Sequence, residues 1–190
     1  MAEHRLKAVT ALGGTEPRID SFDVLTISEN AEMALASLAC RNGRQAEFLK
    51  QGKKLLGCDL PEAGAIAGKG VVKAIWIGPD QWFVEAPFET HEDIARHLAA
   101  AFSGTASVTE QTDAWVRFDI EGPATGSVFE RLCALDVGRM ASGSAARTAI
   151  EHLGCFVLCR EAGIRYTVLG PRSGAASLHH ALMTAARSVL

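Results

Sequence analysis

The sequence predicts an α+β protein of two interlaced ferredoxin-like halves, each an antiparallel sheet with helices on one face. Three observations predict it. First, residues 74–87 (AIWIGPDQWFVEAP) read as a β-hairpin running into a helix. Second, the same strand, proline and helix return near the C-terminus at constant spacing. Tyr166 follows Trp82 by 84 positions, as Leu178 follows Ile94 and Leu182 follows Leu98. A single match is chance, but a whole unit at one offset argues for duplication. Third, residues 33–112 read in the order β-α-β-β-α-β, and residues 114–190 in the same order short of its last strand.

In the hairpin, the first strand covers residues 74–77 and the second 81–86, with Gly78, Pro79 and Asp80 between them. Pro79 presets φ for a turn position, and Gly78 and Asp80 suit a tight bend. Trp76, Trp82 and Val84 fit a pleated, half-buried surface. Pro87 cannot continue a ladder and ends the second strand. In the helix that follows, Ile94, Leu98 and Phe102 share a face, and Glu89, Glu92 and Asp93 crowd the first turn, where the helix dipole favours acids. In the second copy, Gly170-Pro171 closes the strand over 164–169.

The remaining elements fall into place around these units. Residues 1–21 carry Gly13, Gly14 and Pro17 without periodicity and are expected to form a flexible N-terminal arm able to order on a partner. Residues 22–28 read as a short strand. Residues 33–40 fit a helix by alanine content and a strand by alternation, and the strand suits the duplication. Asn42-Gly43 marks a turn before a helix over 45–56 with Phe48, Leu49, Leu55 and Leu56 on one stripe, closed by Gly57. Residues 61–70 read as a flexible linker. Strands follow at 106–112 and 114–120, then a helix opened by Gly122-Pro123 in which Val128, Phe129, Leu132 and Leu135 face inward. Residues 137–146 read as a loop and 147–160 as one or two strands. The first half thus covers 33–112. The second covers 113–190 together with 22–32, whose strand supplies the missing edge and laces the halves together.

With 190 residues, 48% of them hydrophobic, the chain is long enough to bury a sizeable core. A net charge of −3 leaves no electrostatic footprint for nucleic acid. No apolar run is long enough to span a bilayer, and MAEHRLKAV lacks the apolar core of a signal peptide, so a soluble, cytoplasmic protein is expected. The five cysteines include no CxxC pair, and Cys40, Cys58, Cys133, Cys155 and Cys159 read as small hydrophobes.

Catalytic patterns fail on inspection. GAIAGKG (64–70) is no phosphate loop: Ala63 stands where the first glycine belongs, Gly70 replaces the magnesium-binding hydroxyl, and a strand follows instead of a helix. Cys155 and Cys159 on one strand stand roughly 13 Å apart, too far for one ion. His179 and His180 point about 100° apart on a helix. Ser142, Ser144 and Ser173 lack a nucleophile elbow. Arg172-Ser173 offers a helix N-cap hydroxyl beside a fixed charge, able to cap or to meet an anion. The polar run Thr109-Glu110-Gln111-Thr112-Asp113 reads as a buried network or a docking edge. The candidate partner-facing residues are Trp76, Asp80, Gln81, Glu110, Gln111, Asp113, Arg172, His179 and His180, with no catalytic, cofactor-binding or metal residue.

Leu56-Gly57-Cys58-Asp59-Leu60-Pro61, Ile75-Trp76-Ile77-Gly78-Pro79-Asp80-Gln81-Trp82, Glu121-Gly122-Pro123 with Leu132-Cys133-Ala134-Leu135-Asp136, and Gly170-Pro171-Arg172-Ser173 recur in one order. Together they resemble the gamma subunits of heterotetrameric sarcosine oxidases, from about residue 22 to the end. The resemblance implies the folate-binding fold of the glycine-cleavage T-protein and an assembly that oxidatively demethylates sarcosine to glycine. It implies alpha, beta and delta subunits as partners. FAD, FMN, NAD, zinc and tetrahydrofolate would sit on those subunits, leaving this chain a scaffold without cofactor. The alternative is a stand-alone folate-binding, aminomethyltransferase-like protein. The Lys-x-Cys-x-x-Gly motif of the iron–sulfur-repair relatives is absent, since neither Cys133 nor Cys155 has that context.

Overall fold

A computed structural model of the protein describes residues 7–190. The first part of the chain runs through strands Ile19–Phe22 (β1), Leu25–Glu29 (β2) and Met33–Cys40 (β3), helix Gln45–Leu56 (α1), and strands Ile66–Ala67 (β4), Lys73–Gly78 (β5) and Gln81–Pro87 (β6). Short helix Phe88–His91 (α2), helix Ile94–Ala101 (α3) and strand Ala106–Glu110 (β7) follow. The second part contains strand Trp115–Glu121 (β8), helix Thr125–Leu132 (α4), strands Ala145–Ile150 (β9), Leu153–Glu161 (β10) and Arg165–Pro171 (β11), and helix Ala175–Val189 (α5).

Two antiparallel sheets result, ordered β4-β5-β6-β3-β7 and β1-β2-β8-β11-β10-β9. In each, four strands have the ferredoxin-like arrangement: β7-β3-β6-β5 in one and β2-β8-β11-β10 in the other. β2 precedes the whole first half in sequence, yet it pairs with β8, Ile27 opposite Ile120 and Thr26 opposite Glu121. The halves are interlaced as expected. Gly122 marks the crossing, where the turn after β8 lies against the turn between β1 and β2. It sits at φ +137°, and a Cβ there would stand 2.2 Å from the Val24 carbonyl oxygen. Only glycine accommodates both constraints.

The duplication extends to details. Trp82 of β6 donates its indole N–H to the Pro61 carbonyl at 2.9 Å, and Tyr166 of β11 donates its hydroxyl to the Val137 carbonyl at 3.0 Å. Each aromatic anchors the loop five residues beyond the first helix of its half, burying its ring and satisfying its polar tip. Pro87 and Pro171, with φ −57°, ψ 129° and φ −58°, ψ 131°, end the corresponding strands in the same conformation.

Strand alternation sorts side chains into layers. Ala36, Leu38, Trp82 and Val84 face α1 and α3 around Phe48, Ile94, Leu98 and Phe102. Phe118, Ile120, Val157, Tyr166 and Val168 face α4 and α5 around Phe129, Leu178 and Leu182. The opposite faces of the two sheets pack on each other through Leu35, Ile75 and Phe83 from one and Phe156, Leu158 and Leu169 from the other. Phe83, Trp115 and Phe156 form a ring cluster across this seam, with centroids 5.3, 5.5 and 5.6 Å apart.

Some expectations need correction. Within the arm expected over 1–21, residues 1–6 lie outside the described residues and the rest is structured. β1 occupies its end, residues 10–14 form a turn, and the buried Glu29 carboxylate accepts the backbone N–H groups of Leu12 and Arg18 at 3.0 and 3.3 Å. Residues 33–40, open between helix and strand in the sequence, form the strand that the duplication favours. The linker at 61–70 contains β4, because its backbone finds partners in both sheets. Ala65 bridges Ser144, the Ile66 N–H donates to Gly143 O and the Ala145 N–H to Gly64 O. α4 ends at Leu132, leaving Leu135 in the following loop, where it still packs on the core. Ser173 does not cap α5: residues 172–174 form a 3₁₀ turn that moves the cap position to Gly174.

Candidate functional site

The seam between the sheets holds the most concentrated polar chemistry of the described residues. Glu85 enters it from β6, flanked in sequence by Val84 and Ala86, which point the other way into the helix layer. Arg117 and Asp119 enter from β8, Arg160 from β10 and Thr167 from β11. Arg160 donates from Nη1 and Nη2 to the two Glu85 carboxylate oxygens at 2.7 and 2.9 Å, and Arg117 donates from Nη1 at 2.8 Å. Arg160 Nε donates to the Thr167 hydroxyl at 3.1 Å, and that hydroxyl donates to Asp119 at 2.5 Å. Asn30, just past β2, completes the chain with a 2.6 Å bond to the other Asp119 oxygen.

Glu85 is 2% exposed, and the Arg117 and Arg160 side chains are 10% and 18% exposed. Burial pushes the Glu85 carboxyl up, and the two guanidiniums more than reverse this, holding it below the usual carboxylate range. A carboxylate whose two oxygens are both taken by arginine donors, and which resists protonation, is a poor general base. It is suited to clamping: Glu85 belongs to one sheet and both arginines to the other. Two charges of each sign make the cluster neutral.

Cavities flank the cluster. On the Arg117 side, one of about 270 Å³ lies between residues 8–11, Glu29–Ala31 and Thr112–Arg117. On the Arg160 side, one of about 350 Å³ is bordered by β4, Lys73 and Arg165. A groove of about 710 Å³ separates α4 from α5 on the outer face. Among the described residues no three His, Cys, Asp or Glu side chains converge as a metal site, and no helix is long and apolar enough to cross a membrane.

The sequence-predicted candidates do not form one patch. Trp76, Asp80 and Gln81 lie at the hairpin end of their sheet, beside Cys40. Trp76 packs on the helix-facing core, while Asp80 and Gln81 are exposed. Glu110 and Gln111 lie at the other end of β3, beside Ala36 and Leu35. Glu110 accepts the N–H groups of Gln111 and Thr112, Gln111 accepts the Trp115 indole N–H at 3.1 Å, and the Thr112 hydroxyl accepts the Leu35 N–H at 2.9 Å. The polar run is an internal turn network, with Asp113 pointing outward beside Arg172 at 3.4 Å. Arg172 also donates to the Val9 carbonyl at 2.9 Å, tying down the N-terminal segment instead of standing free for an anion. His179 lies 2.7 Å from Asp20 and beside the Phe118 ring, so it is occupied within the chain. His180 lines the α4–α5 groove.

The Glu85 cluster escaped the sequence reading, although a signal existed. Glu85 interrupts an apolar strand, and Trp115, Arg117 and Asp119 alternate with Val116, Phe118 and Ile120. With helices on one face, the charged face reads as solvent-exposed; the second sheet buries it.

This architecture is found in known proteins. No protein-family model and no curated protein sequence matches the chain. By structure it has the fold of the glycine-cleavage T-protein class. Aminomethyltransferase T of the glycine cleavage system from Bartonella henselae matches 82% of this chain at 13% identity with a TM-score of 0.58, and the chain spans 44% of that protein. A chain of the heterotetrameric sarcosine oxidase from Corynebacterium sp. U-96, solved with pyrrole 2-carboxylate, matches 90% of this chain at 19% identity with a TM-score of 0.77, and 88% of that chain is covered.

Proposed function

We propose that this protein is the gamma, accessory subunit of a heterotetrameric sarcosine oxidase, a complex that oxidatively demethylates sarcosine to glycine. The observation that carries the reading is the end-to-end correspondence with a whole chain of such a complex, 90% of one chain against 88% of the other. The T-protein likeness is weaker, with a TM-score of 0.58 against 0.77, which favours the sarcosine oxidase subunit over a stand-alone aminomethyltransferase. The chemistry of the seam agrees: its most buried carboxylate is committed to two arginines and resists protonation. In this reading the chain contributes no catalytic residue. Alpha, beta and delta subunits are its partners and carry FAD, FMN, NAD, zinc and tetrahydrofolate. The complex works in the cytoplasm.

Affinity purification of the tagged chain from its native source, with identification of the bound proteins, tests this. Stoichiometric recovery of flavoprotein subunits able to oxidise sarcosine is the expected result. Recovery of the chain alone, together with saturable tetrahydrofolate binding to it, would establish the stand-alone folate-binding alternative.

A further inference from the structure

The segment around Gly68 fails as a phosphate loop, yet it helps form a cation-rich pocket at the edge of the seam. The pocket, about 350 Å³, is bordered by Ile66, Gly68, Lys73, Arg160 and Arg165, and no carboxylate lines it. Lys73 is held in place: its ammonium donates to the Gly68 carbonyl at 2.5 Å. Gly68 sits at φ +147°, where a Cβ would stand 2.3 Å from the Val72 carbonyl oxygen, so the turn closes only with glycine. Arg160 is fixed by Glu85 and Thr167, which take three of its N–H groups and leave two of the five uncommitted.

Arg165 is exposed. Glu121 and Glu161 lie opposite it in the strand register, but among the described residues neither forms an ion pair with it, and Lys73 forms none either. Three cations therefore face one small concavity, and only Arg160 has an internal counter-charge. The lining thus presents cationic donors and no carboxylate, although Glu85 lies behind Arg160 and opposite Lys73 in the strand register, and two of the donors are already immobilised.

We propose that this pocket binds a small oxyanion, a phosphate or carboxylate group, through Lys73, Arg160 and Arg165. The inference is independent of the subunit assignment, because the full chain is tested directly and without partners. Inorganic phosphate and malonate are titrated separately into isotopically labelled protein at constant ionic strength, with chloride as the reference, and amide shifts of residues 66–73 and 160–165 are followed. Saturable shifts with phosphate, malonate or both, at a Kd on the order of 1 mM or tighter, are expected. Which of the two probes saturates identifies the preferred anion. Lys73→Met and Arg165→Gln should each weaken binding about tenfold, with the fold intact by circular dichroism. Shifts no larger than those from chloride, or affinities unchanged in both variants, would overturn the proposal.

Discussion

Replacing Glu85 by Gln isolates the energetics of the seam. The side chain keeps its size, but the carboxylate that accepts three donors at 2.7, 2.8 and 2.9 Å becomes neutral, and its new N–H₂ faces guanidinium donors. Arg117 and Arg160 then keep their charge at 10% and 18% exposure, opposite a partner that no longer balances them. Removing one member of a buried ion pair costs about 3–5 kcal/mol. For a domain of this size that lowers Tm by roughly 6–20 °C, and it is a large fraction of a total stability of about 5–15 kcal/mol. Urea and thermal unfolding followed by circular dichroism measure it. A triple variant, Glu85→Leu with Arg117→Met and Arg160→Met, removes Glu85 and both its ion-pair partners, leaving Asp119 26% exposed with its Thr167 and Asn30 bonds, and should recover much of the loss, because apolar replacement of a buried ion-paired triad is close to neutral. A shift under about 2 °C in Glu85→Gln would refute the clamp. A triple variant as unstable as the single one would show that shape, not charge, is what the seam requires.

The remaining predictions address pH, interlacing and thiol reactivity. The Glu85 carboxyl is held below its ordinary 4.5, and the Asp20 carboxyl, bonded to Arg18 and His179, below its ordinary 3.8. Both contributions are present above those values and are lost as pH falls through the lower folded-state values, so stability should decline from about pH 4.5 downward. The triple variant should lose the Glu85 part of that slope in urea titrations run across the range. Gly122→Ala forces a Cβ to within 2.2 Å of the Val24 carbonyl oxygen and should cost about 1–3 kcal/mol or more in urea unfolding; an unchanged midpoint would contradict the close approach of the turn after β8 to the turn between β1 and β2. Burial pushes the Cys155 thiol up to about 11, so on the order of one in a thousand molecules carries the thiolate at pH 8. Mass spectrometry after iodoacetamide should find Cys155 unmodified in native protein and modified after unfolding, and rapid native labelling would contradict its burial.

Much of the fold is legible in the sequence because it rests on local chemistry. Pro87 and Pro171 end strands for the same steric reason and mark the duplication, and the strand missing from the second half predicts the pairing of β2 with β8. The less legible parts depend on long-range partners. Residues 10–18 have no periodicity, and what orders them is a side chain elsewhere, Glu29, collecting their backbone N–H groups. β4 is two residues long and exists through its pairing with β5 and the adjoining bridge from Ala65 to the opposite half. The candidate partner-facing residues lie in separate places because β3 stands between the hairpin end at Gln81 and the turn at Glu110, a separation no sequence pattern specifies. Glu85 was hidden for a deeper reason: a charged strand face implies solvent unless a second sheet is known to cover it.

The most direct test of the subunit assignment is size-exclusion chromatography of the natively produced tagged protein with absorbance recorded at the flavin band. As a subunit of that complex the chain should elute far above its own 20.2 kDa, coincident with flavin absorbance and sarcosine-dependent oxygen consumption. Elution at 20.2 kDa as a colourless species would contradict it.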